Sequence, residues 1–556
     1  MSAADKPIVI EKTAEELRAV VGRARAQGID RVDADTLEAL VASHCLVVDL
    51  LRDRQTTVAR LRHLLFGPSS ETRRALFGEG TPAADPSGAM AATTRDGHGV
   101  AAPSTAAGAV EAPAASTPEP EPPAKGHGRH GVEDFPAATP VLTPHATLHA
   151  GDGCPHCKGR VYPRPPQRLV RIVGVAPFAA TVYEQERLRC NLCGEAYTAP
   201  APEGVGEERY DASATAMVAL LRYGLGMPFY RVAALQESAG VPLPASTQWD
   251  LVHEAADALA PLLAALVALA ARGEVLHNDD TTMTVLSLKK EGPDEDGRSG
   301  MFTSAVLARV GGRTVALYGT GRPHAGERLA EVLAKRPAGL PPPTQMCDAL
   351  DRNLPDGFMT ILGNCLVHMR RQFVDVVAAF PSEVRHVIDE LAEVYRVEKV
   401  AKALTPEQRL ALHQLHSGPV LERLRAWFQE LEDEKRVEPN SGLGKAIAYA
   451  TRRWDRLTLF LRVAGAPLDN NACEQILKRA ILHRKNSLFY KTTNGARVGD
   501  LFMSLITTAR LANVDAFRYL TAVLKHRERV AAAPDDWLPW TWEQTLARDG
   551  LARPGA

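Results

Sequence analysis

Hydrophobic and polar positions alternate along this chain with three different periods, and each predicts a different architecture. Between residues 33 and 66 apolar side chains return every seven residues. Leu37, His44, Leu51, Val58 and Leu65 form one seam; Leu40, Val47, Arg54 and Leu61 form the other. About four heptads of this pattern predict a long helix that pairs two protomers, or one that packs on its own chain. Residues 211–272 carry helical signals. Asp211 is placed to cap a helix running through Tyr223, Pro228 opens a second over Phe229–Ser238, and Ser246 caps a third that holds Trp249. Helix, glycine turn, helix is the outline of a DNA-reading helix-turn-helix, and equally of plain helical domains.

From Glu274 the period changes. Val275–Leu288, Met301–Val310 and Arg313–Tyr318 read as a meander of strands, broken by the charged loop Lys289–Gly300 and the Gly311-Gly312 turn. A helix over Ala325–Lys335, a strand ending near Asp348, a strand-like run Met359–Val367 and another helix follow. Three antiparallel strands, a helix and a further strand open a ribonuclease-H-like α/β fold. Residues 382–436 are strongly helical, with Thr405-Pro-Glu-Gln408 as a helix start, and read as an insertion. Helices then run to about His526, and the tryptophan-rich tail Asp535–Trp542 is expected to pack on the body or on a partner.

Composition separates these parts. From Gly78 to about Thr147 alanine, proline, glycine, serine and threonine dominate, which predicts a flexible linker. The expected division is 1–77 helical and coiled-coil-like, 78–148 linker, 149–200 zinc ribbon and 201–272 helical DNA-binding region. The catalytic domain follows as 273–381 and 442–526, around a helical insertion at 382–441, with a tail at 527–556. The formal net charge is −1, so nucleic-acid binding must come from local patches. No apolar signal core opens the chain, and the longest apolar run, Ala258–Ala271, is too short to span a bilayer; the expectation is a soluble, cytoplasmic protein without membrane contact.

Eight cysteines in 556 residues do not make a disulfide scaffold. Four of them stand as Cys154-Pro-His-Cys157 and Cys190-Asn-Leu-Cys193, the spacing of a tetrahedral zinc site. Short strand-like runs between the pairs suggest a zinc ribbon, with His156 a bystander. A second constellation is acidic. Asp279 lies on the first strand, Asp348 ends the later one, and Glu474 opens a helix. In a ribonuclease-H-like sheet these strands are neighbours, so three carboxylates converge where two hard cations could drive phosphoryl chemistry. Asp280 is the rival to Asp279, since strand alternation turns only one of them inward. For Glu474 the competing reading is a capping box with Asn471.

Basic residues flank the acids. Lys478, Arg479, Arg484 and Lys485 follow Glu474, with His483 among them, and Arg370 and Arg371 follow His368. All six cations suit phosphate contact. For His368, contact with DNA or a carboxylate competes with a place in the core, while Cys365 reads as packing.

These residues resemble the insertion sequence 66 family of bacterial DDE transposases. The resemblance covers nearly the whole chain. It is carried by Leu65–Glu71, the paired CxxC knuckles, Met227–Arg231, Asp279-Asp-Thr281, Cys365–Phe373 and Ala446–Trp454. The most specific pieces are Leu468-Asp-Asn-Asn-Ala-Cys-Glu474 and Arg484-Lys-Asn-Ser-Leu-Phe489. The resemblance implies a catalytic triad falling on Asp279, Asp348 and Glu474, and magnesium (or manganese) as cofactor beside the zinc. It implies binding to terminal inverted repeats, cleavage to free 3′-hydroxyls and joining to target DNA. A homo-oligomer and accessory proteins of the same element are the expected partners. The chain departs from the family pattern at Asp280, at Ala349-Leu350 after the second acid, and at Gln475. The reading from another class is a non-catalytic, zinc-containing DNA-binding regulator.

Overall fold

The computed structural model describes residues 208–552 throughout, together with 147, 149–153, 160, 162, 177–189, 196–200 and 202. The heptad segment, most of the linker and the four knuckle cysteines lie outside the described residues. The chain forms two compact units, one of Ala92–Pro177 and one of the remainder. In the first, Gly153 and Arg160 form an antiparallel bridge. All that follows concerns the second.

A short hairpin, β1 (Arg187–Arg189) against β2 (Ala196–Thr198), precedes the helices. Asp211 caps α1 (Ala212–Ala219) by accepting from the Ala214 amide at 2.9 Å, and a wider π-turn continues it over Leu220–Gly224. Next come α2 (Phe229–Ser238), α3 (Ala245–Ala258) and α4 (Ala260–Ala270). Ser246 lies inside α3 rather than capping it, because Pro244 already sets the entry. No single helix among the described residues is long and apolar enough to cross a membrane.

The sheet is built from β3 (Val275–Thr282), β4 (Phe302–Val310), β5 (Arg313–Gly321), β6 (Thr344–Cys347) and β7 (Ile361–Asn364). Their order is β5-β4-β3-β6-β7. The first three are antiparallel, and β6 and β7 run parallel to β3. This mixed α/β arrangement is consistent with a ribonuclease-H-like domain. The first strand is shorter than its pattern suggested. Beyond Thr282 the chain leaves β4, Val285 bridges to Tyr490, and α5 (Leu286–Glu291) begins. After β5, α6 (Ala325–Leu333) crosses back to β6, and α7 (Leu366–Val374) starts directly beyond β7.

Two long helices, α8 (Pro381–Ala401) and α9 (Pro406–Asp433), pack with α7 and α10 (Gly442–Arg452) around a core of their own. Phe373 and Phe428 stack in it with ring centroids 5.4 Å apart. A short α11 (Trp454–Leu457) leads to α12 (Asn471–Ser487), then α13 (Thr493–Leu511), α14 (Ala516–Lys525), α15 (Arg527–Ala532) and α16 (Trp542–Arg548). Trp537 and Trp542 of the tail are buried in the main core beside the sheet.

Edge strand β5 is covered by α13 through a numerical match. A helix rises about 6 Å over four residues and a strand about 6.6 Å over two. The row Asp500, Ser504, Thr508 therefore meets the row Thr320, Tyr318, Ala316. Asp500 accepts from the Thr320 amide at 2.7 Å, Ser504 from Tyr318 at 3.0 Å and Thr508 from Ala316 at 3.1 Å. The strand's outward amides are thereby satisfied, and the edge is closed to further pairing.

Candidate active site

The same match between strand and helix builds the acidic centre. Along β3, His277 and Asp279 face one way, Asn278 and Asp280 the other. His277 Nδ1 meets the Asn470 side chain, just ahead of α12, at 3.1 Å. Two residues further on the strand and four further on the helix stand Asp279 and Glu474. In the neighbouring strand, His277 is level with Met346, so the register carried forward puts Asp279 beside Asp348. Burial, and next to it the charge of Asp348, push the Asp279 carboxyl up to about 7; Glu474 adds to the same push. Burial also raises Asp348, while His368 draws it back. The three acids, 195 residues apart in sequence from first to last, share one electrostatic neighbourhood.

Asp280 is committed elsewhere. Its carboxylate meets His324 Nδ1 at 3.1 Å and the Arg352 guanidinium at 3.4 Å, and accepts from the Ala325 amide at the start of α6. Glu474 is not part of a capping box. Asn470, not Asn471, is the helix cap, and its side chain points to β3 instead: Nδ2 donates to the Asn278 carbonyl at 3.2 Å. The first-turn amide of Asn471 is served by Asp469 at 3.1 Å.

Behind the acids lies a buried polar lattice. The Asn278 and Gln345 side-chain amides both donate to the Asn353 carbonyl, at 2.7 and 2.8 Å, and Gln345 also donates to Asn278 at 2.9 Å. Asn353 Nδ2 in turn donates to Asp348. A Cβ at Gly326 would run into the carbonyls of Arg352 and Leu354, so glycine lets α6 press on the segment that braces Asp348. Asn278, Gln345, Asn353 and Asn470 were not singled out from the sequence. For Asn278 and Gln345 the signal was there, as polar residues interrupting otherwise buried strand positions; Asn353 and Asn470 lie in a turn and at a helix cap, where polar residues are ordinary.

His368 joins the centre from α7. Its Nδ1 lies 3.8 Å from Glu474 Oε1, and both are buried atoms without a hydrogen-bond partner among the described residues. With Cys365 they form a group whose ligand atoms lie within 4.8 Å of one another. The spacing Cys365-Leu-Val-His368 lacked a third donor in sequence; folding supplies Glu474. Burial pushes the Cys365 thiol up to about 12, and its sulfur already accepts from the Asn470 amide at 3.2 Å. It therefore stays protonated, a poor ligand. Oxygen-rich donors, one imidazole, orphaned acceptors and mutually repelling carboxylates fit a hard divalent cation.

The flanking cations divide into two kinds. Lys478 and Lys485 are exposed on α12. Arg479 donates to the Gly224 carbonyl at 2.7 Å, and Arg484 to the hydroxyls of Thr281 and Thr282 at 3.1 and 2.6 Å, so both hold protein together. Arg370 is buried and Arg371 exposed. His483 is buried between Tyr223 and Tyr490, and burial drives it down to about 3, so it is neutral.

Three curated relatives come from Sinorhizobium fredii (strain NBRC 101917 / NGR234), all described as uncharacterized proteins. Y4jD is 34% identical over 189 residues, 33% of this chain and 36% of its own length. Y4hP is 25% identical over 393 residues, 65% of this chain and 68% of its own length. The chain thus spans about a third of the first relative's length. The profile of the transposase IS66 family matches residues 207–498, from α1 through the whole sheet and α12 into α13. With more than half of its residues in that match, the chain belongs to the transposase IS66 family.

Proposed function

We propose that this chain is a DDE-type DNA transposase that cleaves and joins strands by divalent-metal-dependent phosphoryl transfer, with Asp279, Asp348 and Glu474 as its catalytic carboxylates. The observation that carries the reading is the coincidence of register: neighbouring parallel strands and one helix bring three acids from distant parts of the sequence to one place. Family membership supports the reaction class. Magnesium or manganese, held by these acids, supplies Lewis-acid stabilisation of the phosphoryl charge.

In cleavage a water oxygen bonds to phosphorus as the P–O3′ bond breaks, and the departing oxygen takes up a proton to become a 3′-hydroxyl. In joining, that hydroxyl gives up its proton as it bonds to a target phosphorus, while the target's own P–O3′ bond breaks and the departing oxygen takes up a proton. Asp348 holds position through the Asn278–Gln345–Asn353 lattice, and Asp279 through β3, where its carboxylate accepts from the Asp280 amide at 2.8 Å. Glu474 is held by α12, and His368 faces its buried Oε1. Lys478 and Lys485 suit contact with the strand backbone, and Arg371 lies on the same side of α7 as solvent. Duplex DNA, both terminal inverted repeats and target, is the proposed partner. The heptad segment at 33–66 supports a homo-oligomer, and accessory proteins of the same element are proposed by resemblance alone. The ribbon cysteines Cys154, Cys157, Cys190 and Cys193 are proposed to bind zinc on their spacing.

The test is Glu474→Gln, with purified protein, magnesium and a duplex bearing the element's own ends. Strand cleavage and joining should be lost while duplex binding persists. Cleavage at the wild-type rate in this variant would refute the assignment.

A further inference from the structure

The segment Ala446–Trp454 carries part of the family resemblance, yet the acidic centre uses none of it. In the fold it ends α10 and enters α11, a turn that is anchored on one side and charged on the other. Trp454 and Leu457 are buried; Trp454 meets Phe428 edge-on at 6.3 Å. Around these anchors Arg452 and Arg456, both exposed, and the half-buried Arg453 line, with Asp455, an open depression of about 340 Å³. None of the three arginines makes an ion pair among the described residues. Three guanidiniums against one carboxylate leave a local excess of two positive charges. An arginine group held this way, unneutralised, is a ready anion site.

Its position gives it a substrate. α11 packs on β7, the edge strand next to β6, and Asp348 directly follows β6. α10 packs on α7, which carries His368. Tyr449 of α10 links the two: its ring lies 4.4 Å under the Arg453 guanidinium, and its hydroxyl, raised to about 12 by burial, senses both Arg453 and Asp348. A strand whose phosphodiester reached Asp348 would run past this turn. The carboxylates repel a polyanion, so positive charge at their margin is needed to seat it.

We propose that the α10–α11 turn is a phosphate clamp for duplex DNA at the Asp348 side of the carboxylate centre, with Arg452, Arg453 and Arg456 as the contacting groups. It rests on the transposase reading, and reads backbone rather than sequence. The stacked Arg453 is fixed by Tyr449; Arg452 and Arg456, both exposed, reach the strand as it passes.

The experiment is binding of a labelled duplex to the full chain, followed by fluorescence anisotropy across salt concentrations without divalent metal. Each lost phosphate contact should reduce the slope of log K against log salt by about 0.9. The double variant Arg452→Gln/Arg456→Gln should therefore lose about 1.8 from the slope, equally for terminal-repeat and unrelated duplexes. Arg452→Lys/Arg456→Lys should restore most of it. Both pairs lie on exposed positions, and an unchanged melting temperature checks the fold. A wild-type slope in the glutamine variant overturns the clamp while leaving the transposase reading intact. Absence of duplex binding by the wild-type chain overturns that reading itself.

Discussion

Asn470 is the residue on which the centre's geometry turns, and its replacement by alanine has calculable consequences. Its side chain makes two buried hydrogen bonds, to His277 Nδ1 at 3.1 Å and from Nδ2 to the Asn278 carbonyl at 3.2 Å. The other His277 ring nitrogen already lacks a partner among the described residues, so the variant leaves the whole imidazole unpaired there in the core. Burial, with Arg309 nearby, lowers His277 to about 4, so it cannot relieve this by taking a proton at neutral pH. Leaving a buried polar group unpaired costs about 1–3 kcal/mol, so two such losses come to about 2–6 kcal/mol. The same bonds set the distance of α12 from β3. Glu474 stands one turn beyond Asn470, and a displacement of about 1 Å at a catalytic group costs about a hundredfold in rate. Urea unfolding followed by tryptophan fluorescence should show the lower stability. Single-turnover cleavage of an end-bearing duplex should show the rate loss, with DNA affinity retained. Asn471→Ala, which removes no side-chain hydrogen bond among the described residues, is the control. Wild-type stability and rate in Asn470→Ala would refute the claim that this side chain sets the register.

The raised Asp279 carboxyl gives a pH signature. With its midpoint at about 7, manganese must displace a proton below that pH, so affinity should tighten about tenfold from pH 6 to pH 8, read by calorimetry. Asp279→Asn should flatten this dependence across the same window. Because the carboxyl is raised in the folded chain, metal-free stability should decline as pH climbs from about 4 toward 7, and added metal should reverse that decline. Elemental analysis of the purified chain should find one zinc per chain, and Cys154→Ser/Cys157→Ser should lose it; a metal-free wild type would end the ribbon proposal.

Sequence alone determined the kinds of element and the chemistry they carry. Period and punctuation located the meander, the capped start of α9 at Thr405, and the helix opening at Asn471, because those signals act within a few residues. It also supplied the three acids as candidates, and the family. It left Asp279 and Asp280 as rivals, and Glu474 as either cap or catalyst. In the fold, alternation on β3 turns Asp280 to His324 and Arg352, while the strand-two, helix-four match turns Asp279 and Glu474 to each other's side, the arrangement the proposed triad needs. Arg479 and Arg484 looked like phosphate ligands because charge is visible in sequence, whereas the carbonyls and hydroxyls that claim them come from chain some 200 residues away. The same is true of Asp500, Ser504 and Thr508, three unremarked polar residues until β5 is laid beside them. Local periodicity is written in neighbours. Which polar side chain faces which is fixed only when separate elements meet at a common spacing.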